Sequence, residues 1–260
     1  MKNKILFLIF LNFSFSLIAF GYDCDQGESL NVSSKLDETS EQITKVVDKI
    51  FDEKQTANLF KAIKEKNLKA VNSALKLNAN PNAILQDTSG LSVQSCCIKW
   101  GTPQILRAIL DAGGDPNIQD NNAKLTTPLI QAARDNKTNF IDVLLDSKYP
   151  TDINKPAAGG RTPLHFAATN HSIEAIKVLV NDSRINLNAE SIFVLGKGKT
   201  ALSALCYYGE LEGIKVMLNH PTTTAPLTSE HLMAATETLD QSIAKDGANA
   251  IQGYFTKYKK

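Results

Sequence analysis

The 260-residue sequence has few of the features that mark a specialised chemistry: it contains four cysteines, one tryptophan and almost no excess of charge. Its 28 Lys and Arg residues against 27 Asp and Glu give a net charge of +1, which excludes the strongly positive surface of a dedicated nucleic-acid-binding protein. Four cysteines are too few for a disulfide-stapled scaffold. The hydrophobic fraction of 43% is instead that of an ordinary globular protein.

Long apolar runs are also scarce. The clearest one covers residues 5–20 and follows a short basic start, Met1–Lys4. As a helix it would span about 24 Å, which is less than the ~30 Å hydrocarbon core of a bilayer. Small residues at Ala19 and Gly21 fit a signal-peptidase site. The sequence therefore predicts a signal peptide over residues 1–21 and an exported product, periplasmic or secreted; an uncleaved membrane anchor is the alternative.

What the rest of the chain does contain is an internal repeat. Four seven-residue segments align, with starts 36, 35 and 38 residues apart, at Leu91, Thr127, Thr162 and Thr200. A second marker, a polar residue two positions before an asparagine, recurs in step at Asn80–Asn82, Asp115–Asn117, Asp152–Asn154 and Asn186–Asn188. Two markers that hold the same period predict a stack of similar units.

Each unit is predicted to contain two helices. Threonine followed by proline, as at Thr127 and Pro128, is typical of a helix start. The threonine hydroxyl caps the helix, and proline fits the next position because a backbone N–H there would have no acceptor within the helix. Apolar residues at helical spacing then predict a second helix. Gly113 and Asn78 follow two of these second helices and favour the left-handed conformation that ends them.

The segment Arg161–Ala168, with the sequence Arg-Thr-Pro-Leu-His-Phe-Ala-Ala, resembles the opening motif of ankyrin repeats. The resemblance implies an all-α ankyrin-repeat solenoid of about five helix-turn-helix units, in which His165 bonds to neighbouring backbone. The units are placed over 57–86, 87–120, 121–156, 157–191 and 192–221. The second unit has Leu91-Ser92 in place of Thr-Pro and one extra residue before Asn117.

The flanks are predicted to cap the stack, because terminal units of a solenoid otherwise expose apolar faces. Residues 22–37 are expected to be flexible, residues 38–56 to form an N-terminal capping helix, and residues 222–260 to form C-terminal capping helices. The N-terminal helix is expected to cover the stack with an apolar stripe made of Ile43, Val46, Val47, Ile50 and Phe51.

The candidates for catalytic or metal chemistry are weak. The run Ile192–Thr200 contains Gly-Lys-Thr but has Phe193 where a phosphate-binding loop needs glycine. The histidines show no metal-ligand spacing. Cys97 and Cys206 replace small residues of the first helices. Two alternatives remain for Cys24: a free thiol or a disulfide with Cys96. No enzyme activity, cofactor or metal is predicted.

The function predicted is that of a non-enzymatic adaptor that binds a protein through the concave face of the stack. The partner is expected to carry an acidic patch. The chain itself is expected to be a monomer that binds no nucleic acid and has no stable membrane span after the signal peptide is cleaved. A secreted effector with activity near the C-terminus and a passive envelope protein are the alternatives. The candidate contact residues lie on the first helix of each unit and on the loop just before it, here called the finger. They are Lys99, Trp100, Lys124, Arg134, Asp135, Arg161, Thr169, Asn170, Lys197, Lys199, Tyr207 and Tyr208.

Overall fold

A computed structural model of the chain describes residues 32–192 and 200–218, with side chains from residue 41 onward. This part consists of α-helices joined by turns and extended loops, with an isolated bridge between Ile84 and Ser92. The helices are α1 (Val32–Lys64), α2 (Leu68–Lys76), α3 (Val93–Trp100), α4 (Pro103–Asp111), α5 (Pro128–Arg134), α6 (Thr138–Leu145), α7 (Pro163–Thr169), α8 (Ile173–Val180), α9 (Ala201–Tyr208) and α10 (Leu211–Leu218).

The helices form two layers, which confirms the all-α solenoid expected from the repeats. The end of α1 and helices α3, α5, α7 and α9 pack on one another as the inner layer, and the even-numbered helices pack as the outer layer. One continuous core lies between the layers and is built from aliphatic side chains of every unit, such as Ile63, Ile105, Leu129, Leu164 and Leu205. Each unit therefore buries its apolar face only against its neighbours.

The inner helices begin at capping residues, as predicted for the Thr-Pro units. The hydroxyls of Ser92, Thr127 and Thr200 each accept a hydrogen bond from the backbone N–H three residues on. The predicted alignment placed Leu91 at this position, which is one residue too early, because leucine has no oxygen with which to cap a helix. Counted from these caps, the asparagine follows after 25 residues in the second unit, 27 in the third and 26 in the fourth, so the second unit carries no extra residue before Asn117.

The turns between units are tied by a column of asparagines. The side chain of Asn117 donates to Pro150 O at 2.8 Å and accepts from Asp152 N at 2.7 Å, so both ends of its amide contact the next unit. Asn82 and Asn154 make the same pair of bonds to the units that follow them. These three residues, the asparagine column, explain the periodicity of the second sequence marker.

The N-terminal helix differs from the prediction. Helix α1 begins at Val32, inside the segment expected to be flexible, and continues without a break through the expected capping helix into the first unit. Its apolar stripe is only partly covered: Ile43, Val47 and Phe51 are half-buried, whereas Val46 is 57% exposed and Ile50 is 60% exposed. Ile50 and the buried Leu59 are nine residues apart, about two and a half helical turns, and so point to opposite sides of α1.

Several predicted segments lie outside the described residues. They are the signal peptide over residues 1–21, the loop at 193–199 and the C-terminal capping helices over 222–260. Within the part of the chain that the structure describes, no helix combines the length and apolarity that crossing a bilayer requires.

Candidate protein-binding surface

Three basic residues occupy the same place in three successive units. Lys64, Lys99 and Arg134 are 35 residues apart, and each lies in the last turn of its inner helix, four residues before the outer helix begins. Packed helices lie about 8–10 Å apart, so this cation column crosses the surface of the stack for roughly 20 Å. The column has the period of the fold and belongs to the inner layer.

Trp100 joins the first two members of the cation column. Its half-buried ring lies 5.0 Å from Lys64 Nζ and 4.6 Å from Lys99 Nζ, measured to the ring centroid. Cations at these distances are attracted to the face of an indole ring. The tryptophan ring therefore contacts the ammonium groups of both lysines.

A groove of about 440 Å³ brings together four of the predicted contact residues. Lys99 and Arg134 reach it from neighbouring inner helices, Lys124 reaches it from a finger, and Asp135 lies beside Arg134. Arg134 Nε donates to Asp135 Oδ1 at 2.8 Å, so the groove carries three cations against one anion. Its electrostatics favour a negatively charged ligand.

A larger cleft of about 1220 Å³ continues this surface toward the N-terminus. It lies between α1 and the first finger, with an apolar floor that includes Phe60 and Leu85 and with Lys61 and Lys64 at its edge. Sequence reasoning missed this end of the surface. Counting one repeat back from Lys99 would have found Lys64, because the period is 35 residues.

Three other predicted residues are engaged within their own unit. The guanidinium of Arg161 lies 4.2 Å from the ring centroid of Phe166, and its Nε is buried without a hydrogen bond. Thr169 Oγ1 donates to His165 O at 3.0 Å, and Asn170 Nδ2 donates to Phe166 O at 2.8 Å. The structure therefore gives all three side chains contacts within their own unit, Arg161 before the start of α7 and Thr169 and Asn170 at its end.

The tyrosine pair lies at the far end of the stack. Tyr207 and Tyr208 meet edge to face with ring centroids 5.1 Å apart, and Tyr208 contacts His171 in the same way at 5.1 Å. His171 Nδ1 lies 2.7 Å from Glu210 Oε1, which joins the fourth unit to the fifth. Both tyrosines are half-buried. The predicted contact residues Lys197 and Lys199 lie outside the described residues.

The reactive side chains of the described part are in structural positions. Burial raises the pKa of Cys96 and of Cys206 to about 12, and it raises the pKa of Cys97 well above its usual value, so all three thiols stay protonated near neutral pH. His165 is buried and accepts from Thr162 N at 3.2 Å. Among the described residues, no three His, Cys, Asp or Glu side chains lie close enough to hold a metal.

Comparison with known proteins gives relatives that share parts of this architecture. The chain is 30% identical over 132 residues to the E3 ubiquitin-protein ligase KEG of Arabidopsis thaliana, which is 51% of this chain and 8% of the ligase. It is 27% identical over 195 residues to the tyrosine-protein kinase HTK16 of Hydra vulgaris, which is 73% of this chain and 24% of the kinase. The chain thus spans a small part of either relative.

Solved structures give the same result at the level of the fold. The ankyrin repeat domain of Bcl-3, described as a unique member of the IkappaB protein family, superposes with a TM-score of 0.63 at 18% sequence identity. The superposition covers 77% of this chain and 85% of that domain. Residues 92–191 match the family model for ankyrin repeats in three copies. Residues 92–191 are therefore ankyrin repeats, on the solenoid fold that generally mediates protein–protein interaction.

Proposed function

We propose that this protein is an exported, non-enzymatic adaptor that binds an acidic segment of a partner protein along the cation column. The observation that supports the proposal most strongly is the recurrence of Lys64, Lys99 and Arg134 at one position of three successive units, with two of them lining one groove. A recurrent cation that forms no part of the core has no packing reason to repeat.

The spacing of the column defines the ligand more closely. Cations about 10 Å apart match carboxylates at every third residue of an extended polyproline II segment, which has three residues per turn and rises about 3.1 Å per residue, so that these carboxylates share one face. In a helix, at 1.5 Å per residue, the same spacing corresponds to every seventh residue. The apolar floor beside Phe60 and Leu85 would bury a hydrophobic side chain at one end of the segment.

The binding proposal can be tested with a synthetic extended peptide that carries glutamate at every third position. We expect a double variant, Lys99→Glu with Arg134→Glu, to weaken binding at least tenfold, and Lys99→Arg to change it little, because the charge is kept. The matched control is Lys69→Glu with Lys76→Glu on the exposed side of α2, which changes the net charge equally. Equal loss of binding in both double variants would contradict a specific site.

The natural partner can then be sought with the same pair of proteins. A protein retained by the parent and by the α2 control, but not by the Lys99→Glu, Arg134→Glu variant, is the expected result. A partner retained equally by all three would show that another surface is used. Tyr207→Ala tests whether the predicted aromatic anchor adds to this binding, through a faster dissociation rate.

Export belongs to the same proposal and has its own test. It is supported by the basic start and the apolar run over residues 5–20. N-terminal sequencing of the native protein is expected to find a mature chain that begins near Tyr22, outside the cytoplasm. A soluble cytoplasmic protein that keeps Met1 would contradict export and leave the binding proposal standing.

A further inference from the structure

The groove beside the cation column contains a buried glutamine that the fold does not use. Gln131 is 3% exposed and lines the groove of about 440 Å³ together with Lys99, Lys124 and Arg134. In the part of the chain that the structure describes, its side-chain amide makes no hydrogen bond. The amide is therefore held at the wall of the groove with its donor and its acceptor unused.

The amide of Gln131 is open to the groove rather than enclosed in the core. Among the described residues, the polar side-chain atoms that lack a partner and are closed off from solvent belong to Asp52, Gln94, Ser95 and Arg161. The amide nitrogen and oxygen of Gln131 thus keep contact with solvent, and the space beside them is the groove that this residue lines.

Stacking of the units does not require an amide at this position. The residues 35 positions before and after Gln131, on the neighbouring inner helices, are Cys96 and Phe166, both of them apolar and buried. Gln94, another buried glutamine of the inner layer, instead donates to Asp115 O at 3.1 Å. Because a buried amide without a partner lowers stability, a ligand explains Gln131 better than packing does.

We propose that Gln131 pairs with a backbone N–H and a backbone C=O of the bound acidic segment and so selects an extended conformation, a role that rests on the proposed function. A side-chain amide offers a donor and an acceptor side by side, which matches the groups of a peptide backbone. A polyproline II segment has no internal hydrogen bonds, so these groups are available. A helix uses the same groups internally, except at its ends.

The position of Gln131 relative to the cations fits this division of roles. Gln131 lies one turn before Arg134 on α5, so their side chains share one face of the helix, with Cβ atoms about 5–6 Å apart. A glutamate side chain can span this separation, which sets its carboxylate at Arg134 and its own backbone at the amide. The cations therefore bind the carboxylates, and Gln131 binds the chain that carries them.

The experiment uses the acidic peptide with glutamate at every third position, in which single backbone amides are replaced by esters. Each ester removes one N–H donor and weakens the adjacent carbonyl as an acceptor. Fluorescence anisotropy of the labelled peptides measures binding. We expect one ester to weaken binding to the parent by about fivefold or more, and to change binding to Gln131→Met by less than about twofold.

The matched control is Gln104→Met, at an exposed side chain of α4. Methionine is unbranched like glutamine and lacks the amide, so both variants make the same chemical change. Gln104→Met should respond to each ester as the parent does. Urea unfolding and circular dichroism measure whether Gln131→Met keeps the fold, and the ester series on the parent gives a result that does not depend on this variant.

Two kinds of failure are distinguishable. A parent that does not bind the peptide, or that binds it as well after Lys99→Glu with Arg134→Glu, contradicts the proposed function and the role of Gln131 together. Binding that needs the cations but is weakened by no ester, or equally by an ester in the parent and in Gln131→Met, overturns the role of Gln131 alone. Tighter binding of a helical peptide with glutamate at every seventh position would also overturn it.

Discussion

Two sets of polar residues follow the repeat period, and they differ in what they contact. The asparagine column, Asn82, Asn117 and Asn154, uses both ends of each amide for backbone groups of the next unit. The cation column has the same period, but Lys99 and Arg134 face a groove with a single carboxylate. Periodicity alone therefore does not separate structural residues from binding residues; the contacts of each side chain do.

The difference has a physical basis. An asparagine amide is neutral and can satisfy a donor and an acceptor at once, which suits the turns where backbone groups need partners. A lysine or arginine at the surface stays solvated and contributes little to folding. A protein that maintains a row of cations at one face therefore gains little stability from it, and the row is more consistent with ligand binding.

The first prediction concerns how much one core side chain contributes to the free energy of unfolding. Leu164→Ala removes a buried side chain, 1% exposed, from the core between the layers. We expect a loss of roughly 2–5 kcal/mol in the free energy of unfolding, because the truncation leaves a cavity. Urea unfolding measures it. A change under about 0.5 kcal/mol would place Leu164 outside the core on which the stacking depends.

The second prediction tests the asparagine column. Asn117→Ala leaves Pro150 O and Asp152 N without their partner, and we expect it to cost about 1–3 kcal/mol in urea unfolding. Asn139→Ala is the control, because Asn139 is exposed and its side chain contacts only its neighbour Thr138 among the bonds described. Equal effects of the two variants would show that the column contributes nothing specific to stacking.

The third prediction is that the cation column contributes almost nothing to folding. The Lys99→Glu, Arg134→Glu variant should unfold within about 0.5 kcal/mol of the parent, since exposed charges contribute little to stability. The same double variant is expected to lose binding of the acidic peptide. A stability loss comparable to that of Asn117→Ala would place the two columns in one structural class and remove the contrast between them.

The sequence predicted most of the fold, because the fold repeats. Helix capping at Thr127 and Thr200, the left-handed turns at Asn78 and Gly113, and the two-layer stack all follow from local chemistry that recurs every 35 residues or so. The first unit was harder to place, because α1 continues through the point where the other units carry a cap. There the stripe could be recognised, but its direction relative to the stack could not.

The site was predicted in part for the same reason. Repeat position alone identified Lys99, Lys124, Arg134 and Asp135, which share one groove. It also selected Arg161, whose guanidinium is stacked on Phe166, and Asn170, whose amide bonds to the end of its own helix. Repeat position does not determine how a long side chain bends or what it finds within reach.

The smallest expected effect concerns a polar cluster on the outer layer that has no period. Asp111 accepts from Lys148 Nζ at 2.6 Å and from Tyr149 OH at 2.7 Å, and these bonds hold the pKa of its carboxyl below the usual value. A carboxyl with a lowered pKa adds stability above its unfolded pKa of about 4, and that stability is lost as the pH falls through the folded pKa.

Removal of Lys148 should therefore reduce the acid sensitivity of unfolding. We expect Lys148→Ala to lose slightly less stability than the parent between about pH 5 and pH 2, because its Asp111 carboxyl has a pKa closer to the unfolded one. The exposed side chains are screened by solvent, which keeps the difference small and makes it fall further in high salt. Lys69→Ala on α2 serves as the control, and parallel pH profiles for all three proteins would show that the cluster has no energetic role.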